Sequence, residues 1–150
     1  MSSTSIELKE MISGYYVQLN NMNEAELSFK PNVARWSKKE ILGHLIDSAQ
    51  NNLRRFIVSQ YEQKPSIIYS QNDWVRINNY QNMDTRLLVE LWFLQNQQIC
   101  HLIESIGDEQ LEKKCSTDTE HTVEWLIKDY IRHLSHHMHQ ILNLEAVEYP

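Results

Sequence analysis

The chain has 150 residues, with 14 Lys and Arg against 20 Asp and Glu and a formal net charge of −6 when histidine is neutral. That length predicts one domain over residues 1–150 with a sizeable core, and the acidic balance, without a Lys/Arg block, argues against nucleic acid as the main partner. No apolar run approaches the length of a membrane span, and Met1-Ser-Ser-Thr-Ser lacks a signal-peptide pattern, so no membrane partner is expected.

The two cysteines, Cys100 and Cys115, form neither a disulfide framework nor a CxxC pair, which points to a cytoplasmic protein. Only three glycines and three prolines occur, and so few turn formers favour long helices over many strands.

Ile6, Leu8, Met11, Ile12, Tyr15, Tyr16 and Leu19 are spaced for an amphipathic helix, with Ser5 as its expected N-cap. A turn at 20–23 and a short helical turn over Glu24 to Leu27 follow. Ser37-Lys-Lys-Glu40 reads as a capping box, with Trp36 placed to staple against Ile41. The second helix then runs to Val58 or Tyr61. Ile41, Leu45, Ala49, Leu53, Phe56 and Ile57 form its stripe, and His44, Asp47, Ser48 and Asn51 lie beside them. Residues 62–83 form one long connection, aromatic enough to pack rather than hang loose, with a helical turn expected within 70–80.

The third helix is expected from Asp84-Thr85 to Ile106. Its buried side is read as Leu87, Leu88, Leu91, Trp92, Leu94, Gln95, Ile99, Leu102 and Ile103, and Gly107 as its stop. Residues 108–120 read as a short turn of helix and a polar loop. Thr122 caps a last helix running from Glu124 to about Leu144. The expected fold is therefore all-α, a four-helix bundle with a long crossover connection between helices two and three.

Four of the seven histidines fall between residues 133 and 139. On a helix His133 and His137, four apart, share a face with Leu126, Tyr130, Leu134 and Ile141, and so look inward. His136 and His139 belong to a more polar face with Arg132, while His101 and His121 read as surface residues. Leu134 follows His133, so the HExxH pattern of zinc proteases is absent. His44 lies on or beside the apolar stripe of another helix, and bundle metal sites are assembled from inward side chains on facing helices. Two histidines from one helix and one from another would make a three-nitrogen set with an open position, the arrangement of a catalytic metal.

The stretches Trp36-Ser-Lys-Lys-Glu-Ile-Leu-Gly-His-Leu-Ile-Asp-Ser48 and His133-Leu-Ser-His-His-Met-His-Gln-Ile141 resemble the DinB/YfiT-like superfamily of four-helix-bundle proteins. The resemblance runs from about Ile6 to Leu144, with Trp74-Val-Arg-Ile-Asn-Asn-Tyr80 also in character. It implies a divalent metal on His44, His133 and His137. The HHRGQ frequent in the family reads His136-His-Met-His-Gln140 here, which keeps the ligand and replaces Arg-Gly by Met138-His139.

Further residues are candidates for the surroundings of the metal. Asp47 either orients a ligand histidine or pairs with Lys38 or Arg54. Gln140 either lines the pocket or caps a polar patch. Asn51 and Trp74 are candidates for the pocket wall, with core packing the alternative for Trp74. No side chain is assigned a catalytic role beyond holding the metal, and both cysteines read as core or loop residues.

The resemblance implies a metal-dependent hydrolase, or an S-transferase using a low-molecular-weight thiol, acting on a small molecule. Such a site would activate water or a thiolate. Zinc or nickel is the expected metal, with iron or manganese also within range. The competing reading is a non-catalytic metal-binding bundle working through a partner or as a homodimer, for which Tyr15, Tyr16, Trp92 and Phe93 are the spare apolar residues.

Overall fold

The computed structural model describes residues 2–150. The elements are α1 (Ser2–Asn20), α2 (Glu24–Ser28), α3 (Lys38–Val58), α4 (Gln71–Asn78), a 3-10 turn (Tyr80–Asn82), α5 (Thr85–Ser105), α6 (Asp108–Leu111), β1 (Lys114–Ser116), β2 (Glu120–Thr122) and α7 (Val123–Leu142). The four long helices form the bundle. α1 packs on α5, α3 lies against both α5 and α7, and α7 closes the ring on α1. The long connection therefore joins helices that are neighbours, α3 and α5, while α1 to α3 and α5 to α7 cross between diagonal positions.

Side-chain caps set the phase of three of these helices. Ser37 and Glu40 form both halves of the expected capping box, Asp84 accepts from the Leu87 amide, and Thr122 accepts from the Trp125 amide. Leu126, Tyr130, Leu134 and Ile141 are buried as their spacing requires. On α3 and α5 the apolar stripe is narrower than the sequence suggests. Ile57 on α3 is exposed, and so are Leu87 and Leu94 on α5, where residues 88, 92, 99 and 103 already occupy the inward face.

Several local expectations fail for physical reasons. α1 starts at Ser2, so Ser5 is no cap. It is fully buried, and its hydroxyl lies against the Cys100 carbonyl and the Glu104 carboxylate of α5. Gly107 does not close α5 with a left-handed turn. The helix ends on extended Ile106, and Gly107, at φ −79°, begins α6. The polar loop after residue 114 is a hairpin in which Lys114 faces Thr122 and Cys115 faces His121. Parallel pairing ties it to the long connection: the Ile67 amide donates to the Ser116 carbonyl at 2.9 Å, and the Ser116 amide to the Pro65 carbonyl at 2.9 Å. The expected helical turn near residue 70 is a helix of eight residues.

The residues offered as spare apolar surface are used inside the chain. Trp92 is fully buried, Tyr15 is nearly so, and Tyr16 stacks on Phe93 with ring centroids 4.1 Å apart. Among the described residues no helix is long and apolar enough to cross a membrane.

Candidate metal centre

α3 and α7 run antiparallel, so Ser48 meets His133 and His44 meets His137. His44 is buried by the phase of α3, whereas His133 and His137 are half-buried on the inner edge of α7. The ring centroids lie 4.9, 4.9 and 4.6 Å apart, and His44 Nε2 is 3.0 Å from His133 Nε2. One nitrogen from each ring falls within 4.8 Å of the others, a group able to hold a metal ion. Nitrogens on a tetrahedral zinc with bonds near 2.1 Å lie about 3.4 Å apart, so small side-chain movements suffice to close the set.

The site keeps its imidazoles neutral. Burial pushes His44 down to about 4, with His137 adding to the effect. Burial, with His44, His137 and His136 adding to it, takes His133 to about 2. His137 is lowered by burial and partly restored by Gln140. Neutral imidazole is the form that ligates. The outer nitrogens of two rings are engaged: His133 Nδ1 lies 3.3 Å from Ser48 Oγ, and His137 Nδ1 lies 2.9 Å from Gln140 Oε1. His44 Nδ1 is buried without a partner among the described residues. Three neutral rings crowded nitrogen to nitrogen, with no carboxylate among them, form a donor set that fits a divalent cation.

Asp47 takes neither expected role. Its Oδ1 accepts from the Tyr80 hydroxyl and from Asn78 Nδ2 at 3.2 Å, and burial pushes its carboxyl up to about 6. Lys38 pairs with Glu26 instead. The Tyr80 ring reaches this position because Gly43 leaves room: a Cβ there would lie 2.1 Å from the ring. Asn51 is buried and donates to the Asp47 carbonyl at 2.9 Å. Trp74 packs edge-on against Tyr69, with ring centroids 5.5 Å apart. Gln140 both lines a cleft and bonds His137.

His136 bonds the Val147 carbonyl, and His139 the Glu145 carbonyl and the Tyr15 hydroxyl. His101 is exposed, and His121 stacks on Trp125 at 3.6 Å. Both cysteines are buried, and burial raises the Cys100 thiol to about 11, which leaves it unreactive.

Two clefts flank the triad, a feature with no signal in the spacing of residues. One, of about 470 Å³, is bounded by Arg35, Trp36, Ile41, Asn72, His137 and Gln140. The other, of about 570 Å³, is bounded by Ser48, Arg55, Tyr69, Arg132, His133 and Tyr149 among others. Gln71, at the start of α4, borders both. Arg55 is held over the Tyr69 ring at 5.8 Å by two bonds to the Ile67 carbonyl.

The fold is that of known proteins. YfiT from Bacillus subtilis, described as a probable metal-dependent hydrolase with an unusual four-helix bundle topology, superposes with a TM-score of 0.83 at 21% identity, over 95% of this chain and 84% of that one. The mycothiol-dependent maleylpyruvate isomerase superposes with a TM-score of 0.77 at 12% identity, over 97% of this chain and 62% of that one. A point mutant of that isomerase gives 0.78 with the same identity and coverage. At such identities the likeness concerns the fold alone. No curated protein sequence matches the chain. The profile of the DinB superfamily matches residues 8–141, and the chain belongs to that superfamily.

Proposed function

We propose that this chain is a metal-dependent enzyme acting on small molecules in the cytoplasm, with His44, His133 and His137 as the ligands of a divalent metal. The observation that carries the reading is the convergence of three neutral imidazoles from two helices at a point bordered by two clefts. The metal would supply Lewis-acid chemistry, acidifying a water or thiol brought to it. The chain's own residues would do the rest. Ser48 and Gln140 orient two of the rings, and Arg55, Arg132, Asp118 and Asp129 present charged groups of both signs to the substrate in one cleft.

Within this reading, transfer of a low-molecular-weight thiol is favoured over hydrolysis. Hydrolysis needs one substrate and water, whereas here separate clefts of similar size lead to two different members of the triad. Neither cysteine borders either cleft, so a thiol that attacks has to come from a bound small molecule. Zinc or nickel is the metal we favour for an all-imidazole set, with iron or manganese the next to test.

The test is a screen of metal-loaded, untagged protein with several low-molecular-weight thiols and electrophiles, run beside ester and amide substrates. Conjugation that disappears in His137→Ala supports the transferase. Hydrolysis without any thiol dependence replaces it with the hydrolase, and turnover of neither substrate class removes the enzymatic reading.

A further inference from the structure

After α7 the chain reverses direction. Asn143 adopts the left-handed conformation at φ 54°, and the Leu144 amide closes the turn on the His139 carbonyl at 3.0 Å. Residues 145, 147 and 149 then each touch α7. The Glu145 carbonyl lies 2.6 Å from His139 Nδ1, and the Val147 carbonyl lies 2.6 Å from His136 Nδ1. The Tyr149 hydroxyl donates to Asp129 at 2.9 Å, and its ring sits 5.2 Å from that of His133. This alternation is that of an extended segment presenting one edge to the helix.

One of these contacts continues to the triad. A carbonyl oxygen only accepts, so His136 Nδ1 carries the proton it donates to Val147. In the neutral ring His136 Nε2 is then an acceptor, and it receives the Gln140 amide group at 3.1 Å. That orientation turns Gln140 Oε1 toward His137 Nδ1 at 2.9 Å, where the oxygen can only accept. His137 therefore carries its proton on Nδ1, and its Nε2 lone pair is left bare. Every donor and acceptor along the path has a single consistent assignment.

We propose that Val147, His136 and Gln140 form a hydrogen-bond relay that fixes the tautomer and orientation of His137, which makes residues 143–149 part of the metal centre. His136 and Gln140 are positioning residues in this scheme. The role assigned to them here is exerted through His137, although Gln140 also borders a cleft. The inference uses the metal-ligand reading of His137 for its consequence, while the relay itself exists in the metal-free chain.

The two can be tested separately by long-range proton–nitrogen NMR on uniformly 15N-labelled, metal-free protein, together with titration of the same protein with zinc against a chelator. His136 and His137 are both expected as the Nδ1–H tautomer. In Gln140→Leu, a change at an exposed position, His137 should lose that preference and zinc affinity should fall about 10- to 100-fold, the usual effect of removing a ligand's hydrogen-bond partner. Gln140→Glu should keep His137 in its tautomer and retain zinc. It cannot donate to His136, which should switch to Nε2–H and release Val147.

A proton on His137 Nε2 in the metal-free wild type, or an unchanged tautomer and affinity in Gln140→Leu, overturns the relay. The expected tautomers in a wild type that takes up no zinc leave the relay standing and remove the metal instead.

Discussion

The two seams of this bundle are built to opposite rules. Where α1 meets α5, the buried residues include Leu8, Ile12 and Leu19 on one helix and Leu88, Ile99 and Ile103 on the other. Where α3 meets α7, the buried set includes His44, Ser48 and Asn52, and His133 and His137 close the gap. The first seam stabilises by removing apolar surface from water. The second buries polar groups that each need a partner, and His44 Nδ1 has none among the described residues. A fold that carries such a seam must hold itself together elsewhere, which leaves the polar seam free to be shaped by chemistry.

The division makes predictions that would break it if they failed. Truncating the apolar seam with Ile12→Ala should cost about 2–5 kcal/mol in urea unfolding and leave metal uptake unchanged. A variant that unfolds little but loses metal would show the seams to be coupled.

Acid should weaken the metal-free protein chiefly through the polar seam. Folding holds His44 neutral down to about 4, whereas the unfolded chain takes up that proton near 6.5. Between those values the unfolded state binds more protons, so His44 contributes stability that is lost as pH falls through the window, by about 3 kcal/mol. His133 extends the same loss lower, since its folded value is about 2. Asp47 works in reverse, its carboxyl moving from 3.8 to about 6 on folding, and so offsets part of the fall. Unfolding curves between pH 7 and 5 should show a net loss that His44→Leu reduces. An equal slope in both proteins contradicts the neutral-imidazole picture.

Gly43→Ala should cost about 1–3 kcal/mol by overpacking, because its methyl would meet the Tyr80 ring that anchors Asp47. The smallest effect should be a gain. At pH 7 His44→Leu removes a buried nitrogen without a partner, a gain set against the loss of the 3.0 Å contact to His133 Nε2, and should leave any net stabilisation of the metal-free protein below about 1 kcal/mol while abolishing metal uptake. Destabilisation instead would mean that His44 is a structural residue.

These contrasts explain what was readable in the residues beforehand. Helical periods and caps are local, so α3, α5 and α7 and the inward pair His133 and His137 follow from spacing alone. His44 is harder, since its phase is local but its meeting with α7 depends on packing. The partners of Asp47 are not legible in its spacing, because Asn78 and Tyr80 sit at the end of a connection whose path no period encodes. The hairpin at 114–122 leaves no period for the same reason, as it is only three residues wide on each strand and is held by pairing to residues 65–67. The segment after Asn143 carries no apolar period at all, and its docking to His136, His139 and Asp129 is visible only in three dimensions.

Three histidines from two helices are expected to hold one metal. Metal content by elemental analysis of untagged protein, after loading with zinc and gel filtration, tests it most directly. One zinc per chain is expected in the wild type, and none in each of His44→Ala, His133→Ala and His137→Ala. Full zinc retained by any of the three variants, or none bound by the wild type, would contradict it.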